Sequence, residues 1–149
     1  NRSKAPCAQI SAQPLLPGVP VFLPDGTACL SVRDDSCDKI SEDLKNVYNF
    51  FISTHINSDK IKEGVLLRTR CGGEADIYLC GGSHKTAADA LSAHKVLPEM
   101  RARIPLFCDS DGILWIPFCG IADRCNPKYA QERLSSLSFY YFYGPKENI

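Results

Sequence analysis

The chain has no long apolar run: each hydrophobic stretch is broken by Asp, Gly or Pro well short of the roughly 20 residues a membrane-spanning helix needs. We therefore expect neither a membrane span nor a secretory leader. Net charge is also missing, because 17 Lys and Arg balance 17 Asp and Glu. That balance excludes a globally basic surface whose grip on nucleic acid would rest on many phosphate contacts and counterion release. Methionine is almost absent. Met100 is the only one and the chain opens Asn1-Arg2-Ser3, so the sequence is expected to be a piece of a longer protein. Histidine is scarce too, and His55, His84 and His94 are separated by whole elements rather than by metal-ligand spacing.

Close cysteine pairs are the next absence. The eight cysteines stand at 7, 29, 37, 71, 80, 108, 119 and 125, and the nearest two are Cys119 and Cys125. Structural zinc sites hold ligands in pairs two to four residues apart, and disulfide scaffolds are shorter and poorer in core. Several of these thiols lie inside apolar runs (Tyr78-Leu79-Cys80, Leu106-Phe107-Cys108, Pro117-Phe118-Cys119). There a small buried hydrophobe in a reducing cytosol is the expected role, so free thiols are favoured over metal and metal over disulfides.

What is present is an ordinary globular composition, 44% hydrophobic and 23% charged over 149 residues. The Pro- and Ser-rich opening, residues 1–18, reads as a linker or extended arm. Val19 to Leu23, the Pro24-Asp25-Gly26 turn and Thr27 to Val32 read as a hairpin. From Ser41 to Ile52 helical spacing competes with strand composition, and the second half is expected to be a strand. Val65–Arg70 and Ile77–Cys80 read as strands, with Gly72-Gly73 a turn and Gly81-Gly82 a stop. Thr86–His94 is predicted as a helix capped by Ser83 or Thr86, with Ala87, Ala90, Leu91 and His94 on one face. Pro98 fits the first turn of a second helix, Glu99–Arg103, which Pro105 ends. The strongest local pattern is the hairpin Ile104–Cys108, Asp109-Ser110-Asp111-Gly112, Ile113–Ile116. A last, aromatic strand is expected from Ser136 to Tyr143. Short strands around two short helices, without regular alternation, indicate an α+β domain.

The charge is unevenly spread. Residues 60–103 hold 8 cations against 5 anions, whereas residues 1–59 and 104–149 are slightly acidic. Arg68 and Arg70, two apart on a strand, are expected to face the same way and fork onto adjacent phosphates. Arg101 and Arg103 diverge on their helix, one expected to face RNA and the other to pair with an acid. For any single cation a solvated or salt-bridged surface role is as good an account as contact; for the group it is the poorer one. The segment Gly81-Gly82-Ser83-His84-Lys85-Thr86 lacks the first and last Gly of a nucleotide-binding loop, and reads as a turn and cap able to hold one phosphate. Asp109, Asp111 and Asp123 have turn explanations. No set of residues forms an active site.

One resemblance is carried by Asp59-Lys60-Ile61, Leu67-Arg68-Thr69-Arg70-Cys71-Gly72-Gly73-Glu74, His84-Lys85, Val96-Leu97-Pro98-Glu99-Met100-Arg101-Ala102-Arg103-Ile104-Pro105-Leu106, Asp111-Gly112-Ile113-Leu114-Trp115-Ile116-Pro117 and Gly120-Ile121-Ala122-Asp123-Arg124. Over about residues 59–126 the chain resembles the C-terminal region of bacterial tRNA(Ile)-lysidine synthetase. Glu74 stands where that family usually has Asp, Ala102 where an acid is common, and Phe118 where Gly is expected. The resemblance implies short mixed or antiparallel strands in β layers packed with two short helices, similar to a domain of the phenylalanyl-tRNA synthetase β chain. It implies a cytoplasmic, two-part enzyme in which an N-terminal domain uses ATP and magnesium to adenylate the wobble cytidine of the isoleucine tRNA with a CAU anticodon. Lysine then displaces AMP.

The Ser-Gly-Gly-x-Asp-Ser loop of that catalytic domain is absent here. The chain is then expected to be the accessory part that holds the tRNA acceptor stem, with residues 19–58 as a strand-rich connection and 59–149 as the recognition domain. Arg68, Arg70, His84, Lys85, Lys95, Arg101, Arg103 and Arg124 are the candidate tRNA-binding residues. The competing expectation is an interaction module that docks on the catalytic domain or forms a homodimer. The aromatic run Phe139–Tyr143 suits that as an edge strand, and suits a half-buried core strand equally. A free-standing thiol enzyme is a third class.

Overall fold

The Asp-Gly hairpin forms as its turn chemistry dictates. In a computed structural model, which describes residues 12–33, 39–70, 76–129 and 135–146, β8 (Leu106–Asp109) turns through Ser110 and Asp111 into β9 (Gly112–Ile116). Asp109 pairs with Gly112, and the Asp109 carboxylate accepts from the Asp111 N–H at 2.9 Å. β9 continues through Pro117 and Phe118 into β10 (Gly120–Ile121), with the Cys119 N–H closing the turn onto the Ile116 carbonyl at 2.9 Å. Phe118 occupies the second central position at φ 75, the left-handed geometry that a Pro-led turn of this kind normally gives to Gly.

These three strands extend into an antiparallel sheet in the order β1-β5-β8-β9-β10. β5 is Leu66–Arg68, and β1 is Gln13–Pro14, a two-residue strand inside the Pro-rich opening whose neighbour Leu15 is buried in the core. The second sheet runs β2-β3-β11-β4: Val21–Phe22, Ala28–Arg33, Ser136–Pro145 and Tyr48–Asn57. It draws strands from both sides of the predicted boundary near residue 58. The ambiguous segment resolves into α1 (Lys39–Val47) followed directly by β4.

The two sheets bury their facing rings against each other. Phe107 of one sheet packs at 4.7 Å from Phe139 of the other and at 4.8 Å from Trp115, with Leu67, Leu106, Ile113 and Tyr141 closing the layer. Alternation along β11 sends Leu137, Phe139 and Tyr141 into this core. Phe142 points to the opposite face, where Ala28, Leu30 and Val32 lie under Leu44 of α1. The aromatic run is thus a central strand, hydrogen-bonded on both sides by β3 and β4, and the edge-strand expectation for it is corrected.

A second hairpin stands apart from both sheets: β6 (Ile77–Cys80) and β7 (Ser83–Thr86). Gly81 and Gly82, at φ 65 and 86, make the two-residue turn whose twist matches its strands. The sequence reading stopped at the glycines and missed β7. Thr86 then caps α2 (Ala87–Ala93), its hydroxyl accepting from the Asp89 N–H at 3.0 Å, and Pro98 opens α3 (Pro98–Arg101). Among the described residues no helix is long and apolar enough to cross a membrane. The predicted Gly72-Gly73 turn lies outside the described residues.

Candidate nucleic-acid interface

The eight residues singled out in the sequence fall into two opposed groups, Arg68 with Arg124 and Lys95 with Arg101 and Arg103, and three that join neither, Arg70, His84 and Lys85. Arg68 and Arg124 are bound by carboxylates inside the fold. The Arg68 guanidinium meets Asp76 at 2.8 Å, with the Asp side chain only 5% exposed, and ties the end of β5 to the start of β6. Arg124 meets the Asp109 carboxylate with both terminal nitrogens, at 2.9 and 2.6 Å, and also donates to the Gly112 carbonyl at 3.1 Å. Burial pushes the Asp109 carboxyl up, but hydrogen bonds from Arg124 and from the Lys62 and Asp111 N–H groups, with the Arg124 charge, outweigh it and hold the group below the usual carboxylate range. Both arginines fix the fold.

β5 ends at Arg68, so Arg70 lies just beyond the strand, half-buried, and strand alternation does not set the two arginines on one face. They do not act as a free fork, since Arg68 is spent on Asp76. The Nε of Arg70 is buried with no hydrogen-bond partner among the described residues.

His84 and Lys85, adjacent on β7, diverge. His84 stands on the exposed face opposite Leu79, whereas Lys85 is opposite Tyr78 and folds back to donate to the Cys80 carbonyl at 3.1 Å. The Gly81 and Gly82 N–H groups, read from sequence as a phosphate cradle, already donate to the Asp123 carboxylate at 2.8 and 2.9 Å. That carboxylate fills the anion position itself, so the single-phosphate reading of this turn is corrected. Beside it Cys119 has its thiol pushed up to about 12 by burial first and by Cys80, with Lys85 acting weakly the other way. Such a thiol is a poor nucleophile at neutral pH, which removes the support for a thiol enzyme at this cysteine.

Lys95, Arg101 and Arg103 make the other group, at the corner between α2 and α3. The corner is set by a C-cap: the Lys95 N–H bonds to the Ser92 carbonyl at 3.0 Å, the Val96 N–H to Leu91 at 3.0 Å, and Lys95 takes φ 63 between them. This is the double-bonded helix ending that usually places Gly at the left-handed position. Val96 buries its side chain beneath the turn while Lys95 is exposed. Arg101 donates its Nε to the Val96 carbonyl at 2.8 Å, which ties the end of α3 back to the residue that follows Lys95. Arg103 lies past the end of α3 and is exposed. Among the described residues none of the three pairs with a carboxylate, so the expected acid partner for Arg101 or Arg103 is not found. Sequence reasoning passed over Lys128, exposed beside Asn126 and Tyr129 in a cleft of about 480 Å³ that Gly81 and Asp123 also line.

Cys29, Cys80, Cys119 and Cys125 are free thiols, Cys108 is buried, and Cys7, Cys37 and Cys71 lie outside the described residues. No group of three or more His, Cys, Asp or Glu side chains suited to a metal occurs among the described residues.

None of the curated proteins compared with the chain matches it. Among solved structures, a crystal structure of a TilS C-terminal domain superposes with a TM-score of 0.62 at 21% identity, over 93% of this chain and 98% of that one. At that identity the likeness establishes the fold: an α+β arrangement of antiparallel sheets with few short helices. Residues 65–136 match the family described as the TilS substrate C-terminal domain, a span running from β5 through the cationic corner to the start of β11. By that match residues 65–136 of the chain belong to the TilS substrate C-terminal domain family.

Proposed function

We propose that this domain is the accessory part of a tRNA(Ile)-lysidine synthetase and holds the acceptor stem of the substrate tRNA for a catalytic domain of the same parent. The observation that carries the reading is the α2–α3 corner, whose chain carries Lys95, Arg101 and Arg103, none of them neutralised by a described carboxylate. An A-form stem is recognised by shape, phosphates and 2′-hydroxyls, which asks for a few cations held on rigid short elements rather than a high net charge. The zero net charge of the chain fits such a local contact. His84 on the outer face of the hairpin, Lys85 and Arg70 are second-rank contributors, and the ATP- and magnesium-dependent chemistry is assigned to the catalytic part.

The test is a titration of this chain with the isoleucine tRNA bearing the CAU anticodon, at low and moderate salt, against an unrelated tRNA. Preferential binding that weakens steeply with salt is the expected result, and Lys95→Ala with Arg103→Ala flattens the salt slope by about two phosphate contacts. Absence of binding at either salt leaves docking on the catalytic domain as the better account.

A further inference from the structure

A cleft of about 480 Å³ lies between β4, the β9–β10 turn and the 3₁₀ turn Pro127–Tyr129, and it shares no lining residue with the α2–α3 corner. That volume is in the lower part of the range for small-molecule pockets, roughly 300–1,000 Å³, so the cleft admits one nucleotide and excludes a duplex. Ile52, Phe118 and Ile121 give it an apolar wall. At its rim Tyr129 is 51% exposed, and the Lys128 ammonium lies over the ring at 5.2 Å. An open ring beside a cation is the pairing that single-stranded nucleic acid uses, the base stacking on the ring and the cation meeting the phosphate.

The polar groups of the cleft select among bases. Asp123 is the one carboxylate among its described lining residues, and each of its oxygens takes one backbone N–H, from Gly81 at 2.8 Å and from Gly82 at 2.9 Å. A carboxylate oxygen can accept a second bond. Asn126, whose N–H donates to the Asp123 carbonyl at 3.2 Å, has its Oδ1 occupied by the Lys128 N–H at 3.0 Å, so its amide nitrogen is the end left to donate. An acceptor with a donor matches the exocyclic amino group and ring nitrogen of adenine or cytosine. Guanine and uracil set a carbonyl oxygen against the carboxylate instead. We propose that this cleft holds one unpaired adenine or cytosine nucleotide, its base stacked on Tyr129, its amino group on Asp123, its ring nitrogen on Asn126 and its phosphate on Lys128. Resting on the reading of the domain as a tRNA binder, the nucleotide belongs to the unpaired end, closing in CCA, that follows the acceptor stem of every tRNA. Each base of that end carries the amino group the cleft requires.

The experiment is a titration of the isotope-labelled chain with the RNA tetranucleotide ACCA, read by amide chemical shifts, with UUUU as the comparison. ACCA is expected to shift the amides of Gly81, Gly120, Asn126 and Tyr129 and to bind at least about fivefold more tightly than UUUU, the low end for one base-edge pairing. Tyr129→Ala should weaken ACCA at least about fivefold, the low end for one stacked base, and Tyr129→Phe should retain it. Tyr129 is exposed, so neither change disturbs the core, and unshifted amides outside the cleft show that both variants are folded. Absence of shifts at the cleft, equal affinity for ACCA and UUUU, or parent-like binding by Tyr129→Ala overturns the proposal. A parallel titration with intact tRNA keeps the two readings apart. A chain that binds tRNA but not ACCA fails the cleft alone, whereas one that binds ACCA but not tRNA fails the acceptor-stem reading alone.

Discussion

Arg124 and Asp109 form a two-pronged ion pair, at 2.6 and 2.9 Å, in which the carboxylate side chain has no solvent exposure and the arginine is one-third exposed. The pair locks the short 3₁₀ turn Asp123–Cys125 onto the β8–β9 hairpin. Arg124→Ala leaves a buried acid unpaired, and is expected to cost about 2–3 kcal/mol, below the figure for a fully buried pair because solvent screens the exposed part of the arginine. Arg124→Lys recovers only part of this, since an ammonium cannot make both bonds at once. Urea unfolding followed by Trp115 fluorescence measures both; a loss under about 0.5 kcal/mol for the alanine variant would assign the pair no structural role.

The same pair makes stability depend on acid. Burial raises the Asp109 carboxyl, yet the Arg124 bonds and two backbone N–H groups leave it below its ordinary value. A carboxyl held lower in the folded state contributes stability that is complete above the unfolded value, near about pH 4, and is lost as pH falls through the folded value. Unfolding midpoints measured from pH 7 to pH 2 should fall in that acid window. Asp109→Asn should start lower and fall less, and an unchanged acid slope in that variant would transfer the effect to other carboxylates.

Phe118 tests what a left-handed position costs when its side chain is useful. The ring packs edge-on against Tyr143 at 5.4 Å and Tyr141 at 6.1 Å, while the backbone sits at φ 75. Phe118→Ala loses the packing and keeps the strain; Phe118→Gly loses the packing and releases it. The glycine variant should therefore be the more stable of the two by about 1 kcal/mol. Equal midpoints would mean that the turn relaxes around alanine.

Local chemistry made much of this fold legible. Asp109 with Gly112 announced one hairpin, Thr86 announced a helix start, and Pro98 a second one, each because the signal and the structure it specifies lie within a few residues. β1 and β10 are two residues long and exist only because a neighbouring strand is present, so no periodicity could reveal them. The hairpin β6–β7 was hidden because its return strand, Ser83-His84-Lys85-Thr86, is polar and reads as a loop. At the site, sequence located the cations but not their commitments. Arg68 and Arg124 looked like Lys95 and Arg103 until folding brought Asp76 and Asp109 to the first two. Of the two roles left open for Phe139–Tyr143 the core strand holds, because β3 and β4 flank it, and the outer position of the sheet falls to β4.

On the proposed reading, Lys95 sets stability against recognition. It holds φ 63 at the end of α2, a position that glycine fills without a Cβ penalty, and its ammonium is exposed at the cationic corner. Lys95→Gly should raise stability by about 0.5–1 kcal/mol, because the strain at the left-handed cap is removed. The same change should weaken tRNA binding and reduce its salt slope by about one contact. Arg103→Ala, at an exposed position past α3, should weaken binding with no gain in stability. Thermal midpoints and salt-dependent titrations on the two variants separate these effects. A Lys95→Gly protein that is more stable and binds tRNA as the parent does would mean the lysine is retained for something other than the acceptor stem, because a cation that strains its own helix cap has no structural reason to be there.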